Sequence, residues 1–82
     1  MNVSEPAYLE LVDFFAGGST PEDVANFRPS ARAQERVSEL LERQRESQLT
    51  SEEKAELDHF VELEHFLRLA KAKARLILAN RP

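Results

Sequence analysis

A capping box at Thr50-Ser51-Glu52-Glu53 is followed by no glycine or proline until Pro82. Thr50 can accept from the backbone N–H of Glu53, and the Glu53 carboxylate can reach back to the Thr50 N–H. Leu49 stands before the box as a hydrophobic staple, and Asn80 is a natural stop. The spacing therefore predicts one helix over residues 51–79, about 44 Å long. A chain of 82 residues makes one small domain and cannot wrap such a rod by itself. Part of the helix should overhang or pair with another chain.

Two further starts precede it. Pro29 ends what comes before, and Ser30 caps a helix from Ala31 to about Glu46. Its apolar stripe is Ala33, Val37, Leu40, Leu41 and Gln44. The link Ser47-Gln48-Leu49 is short, so the two helices should return antiparallel as a hairpin. Thr20-Pro21-Glu22-Asp23 opens a shorter helix that docks through Phe27. Gly17-Gly18 separates it from residues 5–16, where Tyr8, Leu11, Val12 and Phe15 share a face and Leu9 and Phe14 lie off it.

The expected fold is all-α. A helical hairpin with a long C-terminal helix, residues 30–82, follows two short helices, and the assembly is a dimer. Residues 1–17 are read as a loosely docked N-terminal segment, and residues 18–29 as a short helix and linker, within one domain over 1–82.

The long helix has two apolar faces. Phe60, Leu63, Phe66, Leu67, Ala70, Ala74, Ile77 and Leu78 form the main face, most of which is expected to pack on the 31–46 stripe, with Leu40, Leu41, Leu63 and Leu67 facing each other. Opposite lie Val61, His65, Leu69, Ala72 and Leu76, spaced 4, 4, 3 and 4 residues apart. That second seam resembles a short coiled-coil stripe and implies burial against another helix. Self-association is the expected use, and the alternative is that residues 7–15 fold back to cover it.

The net charge of −4 is unevenly spread. Residues 1–27 carry −5, residues 28–50 carry +1, residues 51–65 carry −5 and residues 66–82 carry +5. Acid before base suits the dipole of one long helix. It also suits two such helices packed antiparallel.

Little is present for catalysis. With no cysteine there is no thiol nucleophile, disulfide or Cys-based zinc site. The serines fall at caps, turns and exposed helix, and Gly17-Gly18 is too little for a phosphate loop. Glu62 and His65 form a lone Glu-x-x-His, the spacing that places two metal ligands on one helix face. No Glu of the 31–46 helix lies on its apolar stripe to complete a set, so His65 is read as a seam residue and Glu62 as a solvated charge. His59 sits at the edge of the main face, near Phe66, with its tip in water. No cofactor or metal is assigned. A basic end of Lys71, Lys73, Arg75 and Arg81 leaves nucleic acid open, but a pI near 5.1 does not favour it. No apolar run approaches membrane length, and no secretory leader follows Met1, so the expected address is the cytoplasm.

Thr20-Pro21-Glu22-Asp23-Val24, Phe27-Arg28-Pro29-Ser30, Ala33-Gln34-Glu35-Arg36-Val37 and Leu40-Leu41-Glu42-Arg43 come in that order, followed by Leu49 to Asp58 and Leu63-Glu64-His65 to Arg75. In this order the chain resembles a group of small antitoxin-like bacterial proteins common in cyanobacteria. The resemblance spans about residues 18–78. It implies a short reading frame paired with a neighbouring toxin such as an HNH-type nuclease, and it brings no catalytic residues. Residues 1–17 lie outside it. Residues 5–16 carry −3 with no basic residue, which suits the basic cleft of a nuclease. Tyr8, Leu9, Leu11, Val12, Phe14 and Phe15 are the expected partner-binding residues, ordering on binding. The expected function is non-enzymatic protein binding, most simply neutralisation of a partner toxin. A structural or adaptor homodimer without a toxin, and a small metal-binding helical bundle, are the alternatives.

Overall fold

The computed structural model describes residues 6–81. The fold is all-α: α1 (Leu9–Ala16), α2 (Pro21–Asn26), α3 (Ala31–Arg45) and α4 (Ser51–Ala79), with no strand among the described residues.

Local chemistry explains the boundaries. Thr20 and Thr50 each form a complete capping box, with Asp23 and Glu53 returning to the cap N–H. Ser30 accepts from the Ala33 N–H at 3.1 Å. Helix α3 ends in a Schellman motif, in which the Gln48 N–H reaches the Arg43 carbonyl at 2.8 Å and the Ser47 N–H that of Gln44 at 3.1 Å. The motif requires a left-handed residue, and Ser47 takes it at φ 59°. Gly18, at φ +77°, turns the chain from α1 towards α2.

Helix α4 runs most of the longest dimension of the protein, 51 Å, and the other helices are arrayed along it. Helix α3 lies on its first half, where Arg36 reaches Glu56 and Arg43 reaches Glu53. Helix α2 lies on its second half, where Pro21 and Val24 meet Ala70, Ala74 and Ile77 and Arg81 pairs with Glu22. The small side chains of Ala70 and Ala74 leave room for α2 to approach closely. Helix α1 lies along the middle of α4, from Tyr8 at His59 to Phe15 at Phe66. The core that results joins Ala7, Leu11, Ala33, Phe60 and Leu67, with Tyr8, Phe14, Phe15, Phe27, Val37 and Leu63 packed around it. Leu40, Leu57 and Ala74 are also buried.

Three helices share the coverage of the main face. Helix α3 is about 22 Å long, half the length of α4, so its stripe cannot cover the whole face. Helices α1 and α2 cover the rest. Phe66, on the main face, is 55% exposed and meets the Phe15 ring edge-on, with centroids 5.2 Å apart. Leu41 was expected to face α4 beside Leu40, yet it is 44% exposed while Leu40 is fully buried. Neighbouring residues on a helix point about 100° apart, so with Leu40 aimed at α4, Leu41 turns to the rim.

Candidate interaction surface

The second face of α4 stays uncovered. Val61, Leu69 and Leu76 are 52%, 60% and 54% exposed, and His65 and Ala72 are exposed between them. Helix α1 does not fold back over this seam, because it spends its apolar side chains on Phe60, Leu67 and Phe66 on the other side. The seam therefore presents a mostly apolar line from Val61 to Leu76, interrupted by His65, the kind of exposed stripe that marks an interaction site.

At its N-terminal end the seam opens into a groove between α3 and α4. Leu41, Gln44, Leu57, Asp58, Val61, Glu62 and His65 all line it. Leu57 is buried and forms the floor, while Leu41 and Val61 form the apolar walls. Asp58 and Glu62 place carboxylates at its rim. Leu41 belongs to this surface and not to the core stripe in which its spacing put it.

Of the six α1 residues expected to meet a partner, Leu11 is fully buried in the core. Tyr8, Leu9, Phe14 and Phe15 are half-buried, and Val12 alone of the six is exposed. Phe14 and Leu9, which lie off the helical stripe, are covered within the chain to this degree. The Phe14 ring stacks on Phe27 with centroids 4.2 Å apart, and Tyr8 meets His59 edge-on at 5.1 Å. His59 thus sits against α1, with its side chain still 56% exposed.

Two carboxylates hold α1 in place. Glu10 accepts from the Ser30 backbone N–H at 2.8 Å and from the Ser30 hydroxyl, with Arg32 4.0 Å away. The Ser30 hydrogen bonds, aided by Arg32, hold the Glu10 carboxyl below its ordinary range against the smaller opposing effect of burial. Glu56 accepts from the Ala7 N–H at 3.2 Å and from Arg36. Burial alone would push the Glu56 carboxyl up, but the Arg36 guanidinium and the Ala7 N–H together outweigh it and hold it low. In the sequence these two residues look like any solvated acid on a helix. Only their partners, 20 and 49 residues away, distinguish them.

Glu62 and His65 are both exposed, and no group of three His, Cys, Asp or Glu side chains among the described residues is arranged to hold a metal ion. Among the described residues, no helix is long and apolar enough to cross a membrane. No protein-family model matches the chain, and neither a curated protein nor a solved structure matches it.

Proposed function

We propose that this chain is a non-enzymatic, cytoplasmic protein-binding module of the antitoxin-like kind. In this reading α3 and α4 act as a helical hairpin, the second face of α4 pairs two copies, and the α1 region neutralises a partner toxin such as a nuclease. The observation that carries protein binding is the exposed line of Val61, Leu69 and Leu76. Apolar side chains in such a row gain by leaving water, at about 25 cal/mol per Å² buried. The toxin as partner rests on the resemblance of residues 18–78 to antitoxin-like proteins. Around Val12 the exposed Asp13 adds negative charge that suits a cationic cleft. Because Leu11 is buried, the partner meets α1 through Leu9, Val12 and the edges of Phe14 and Phe15, or draws α1 out of its seat.

The test is growth of cells expressing the product of the adjacent reading frame, with and without this protein. The expected outcome is arrest relieved by co-expression. Leu9→Glu with Val12→Glu, at the rim of α1 and not in its core, should lose that relief while helicity is unchanged. Full relief by this variant overturns α1 as the contact.

The structural homodimer without a toxin is the second reading. It is favoured by the burial of Leu11, which leaves α1 already seated on its own chain. Absence of any growth effect or complex with the adjacent product would select it.

A further inference from the structure

We propose that the second face of α4 and the groove between α3 and α4 form one self-complementary surface, on which a second copy of this chain docks antiparallel. The proposal rests on the self-association reading above and specifies its direction and register. Leu76 of each copy enters the groove of the other, between Leu41 and Val61.

The register follows from the spacing of the seam. Val61, His65, Ala72 and Leu76 are symmetric about a point between Arg68 and Leu69. Turned end for end about that point, Val61 stands at the height of Leu76, and His65 at that of Ala72. Leu69 then meets its own counterpart within about 1.5 Å along the axis. Large faces small at the inner step, where the Ala72 methyl leaves space for the His65 ring. A knob-and-hole seam needs that alternation.

The groove supplies what the outer step needs. A bare helix pair would give Leu76 contacts with α4 residues alone. The Leu41 wall and the Leu57 floor make the site three-sided. The exposed Leu76 is the matching projection on the other copy.

Charge decides the direction. In a parallel pair, the acidic residues 51–65 of the two copies, at −5 each, would lie side by side. The antiparallel pair sets residues 55–65, at −4, against residues 72–82, at +3. On the flank of the seam, Glu62 comes within about 3 Å of Lys73 in axial height. Within its own chain Glu62 stands 4.0 Å from the His59 ring. Arg68 approaches its counterpart near the symmetry axis, which opposes pairing, but Glu64 screens it from 3.5 Å within each chain. The Glu62 and Lys73 contact occurs twice in the symmetric pair, so it outweighs that single opposition.

The chain has no cysteine, so engineered thiols report the register directly. Full-length Val61→Cys and Leu76→Cys variants are oxidised alone and as an equal mixture, and Leu69→Cys is oxidised alone. The proposal expects a disulfide dimer from the mixture and from Leu69→Cys, and none from Val61→Cys or Leu76→Cys alone. Leu76→Cys dimers formed alone would show a parallel pair and overturn it. Light scattering provides the second arm. Unmodified protein should have twice the chain mass, Glu62→Lys should weaken the dimer by about tenfold, and Glu62→Lys with Lys73→Glu should restore it. A wild-type monomer at millimolar concentration overturns the proposal, as does a double variant no tighter than the single one. The growth assay is read separately: a dimer of this register without toxin neutralisation overturns the antitoxin reading alone, and neutralisation by a monomer overturns the present inference alone.

Discussion

Arg36 grips Glu56 through two parallel hydrogen bonds, Nε to Oε2 at 3.0 Å and Nη2 to Oε1 at 2.9 Å. Oε2 also accepts the Ala7 N–H at 3.2 Å, so one carboxylate ties the chain just before α1 to both α3 and α4. The Glu56 side chain is only 11% exposed, which limits the screening of the pair by water. Glu56→Gln keeps the shape, loses the charge and leaves Arg36 short of its partner. It should cost about 1–3 kcal/mol in chemical denaturation, whereas Glu52→Gln on the exposed surface should change stability by less than about 0.5 kcal/mol.

Acid should loosen the same joint. Glu10 and Glu56 both titrate below the ordinary carboxylate value of 4.5 in the folded chain. The folded state therefore binds protons less readily than the unfolded chain. The stability they contribute is complete above that value and is lost as the pH falls through their lowered folded values. Urea midpoints measured downwards from pH 6 should fall below about pH 4.5, and they should fall less in Glu56→Gln. The same pH dependence in both proteins would show that other carboxylates govern acid unfolding.

The core is small enough for single side chains to matter. Leu11 and Leu40 are its largest fully buried side chains. Leu11→Ala or Leu40→Ala should cost about 2–5 kcal/mol, a large part of the stability of a small domain. Leu41→Ala, at the exposed rim, should cost less than about 1 kcal/mol in the free monomer. Thermal melts of the three variants check the order. Deleting residues 1–17 removes Ala7 and Leu11 together and should lower the melting midpoint further.

Ser47 holds a left-handed backbone at φ 59° where glycine is the favoured residue. A side chain in that conformation is strained, and glycine relieves it. Ser47→Gly should raise stability by about 0.5–1 kcal/mol, read as a shift of the denaturation midpoint at unchanged slope. An unchanged or lower midpoint would mean that the Ser47 backbone carries no strain.

The helices were legible because their signals are local. Thr50 and Glu53, Thr20 and Asp23, and Ser30 and Ala33 are each three residues apart, and a capping bond forms wherever that spacing meets a helix start. The 51–79 limits of α4, its two apolar faces and the all-α class all follow from such rules. The α3 limit came within one residue, since its end depends on a Schellman turn at a serine and not on a glycine. The sharing of α4 among its neighbours could not be read in this way. Helical periodicity shows which residues are apolar together, but not which of three helices will cover them. That depends on the lengths of α1, α2 and α3, on how closely α2 approaches Ala70 and Ala74, and on the direction in which the chain leaves Gly18. The bonds of Glu56 to Ala7 and of Glu22 to Arg81 span 49 and 59 residues. The sequence by itself determined the rods and their apolar stripes, because a helix is written in bonds three and four residues apart. Only the tertiary structure decided that Leu11 would be buried, that Leu41 would turn outward and that the seam from Val61 to Leu76 would remain open, because those outcomes depend on which surfaces compete for the same face.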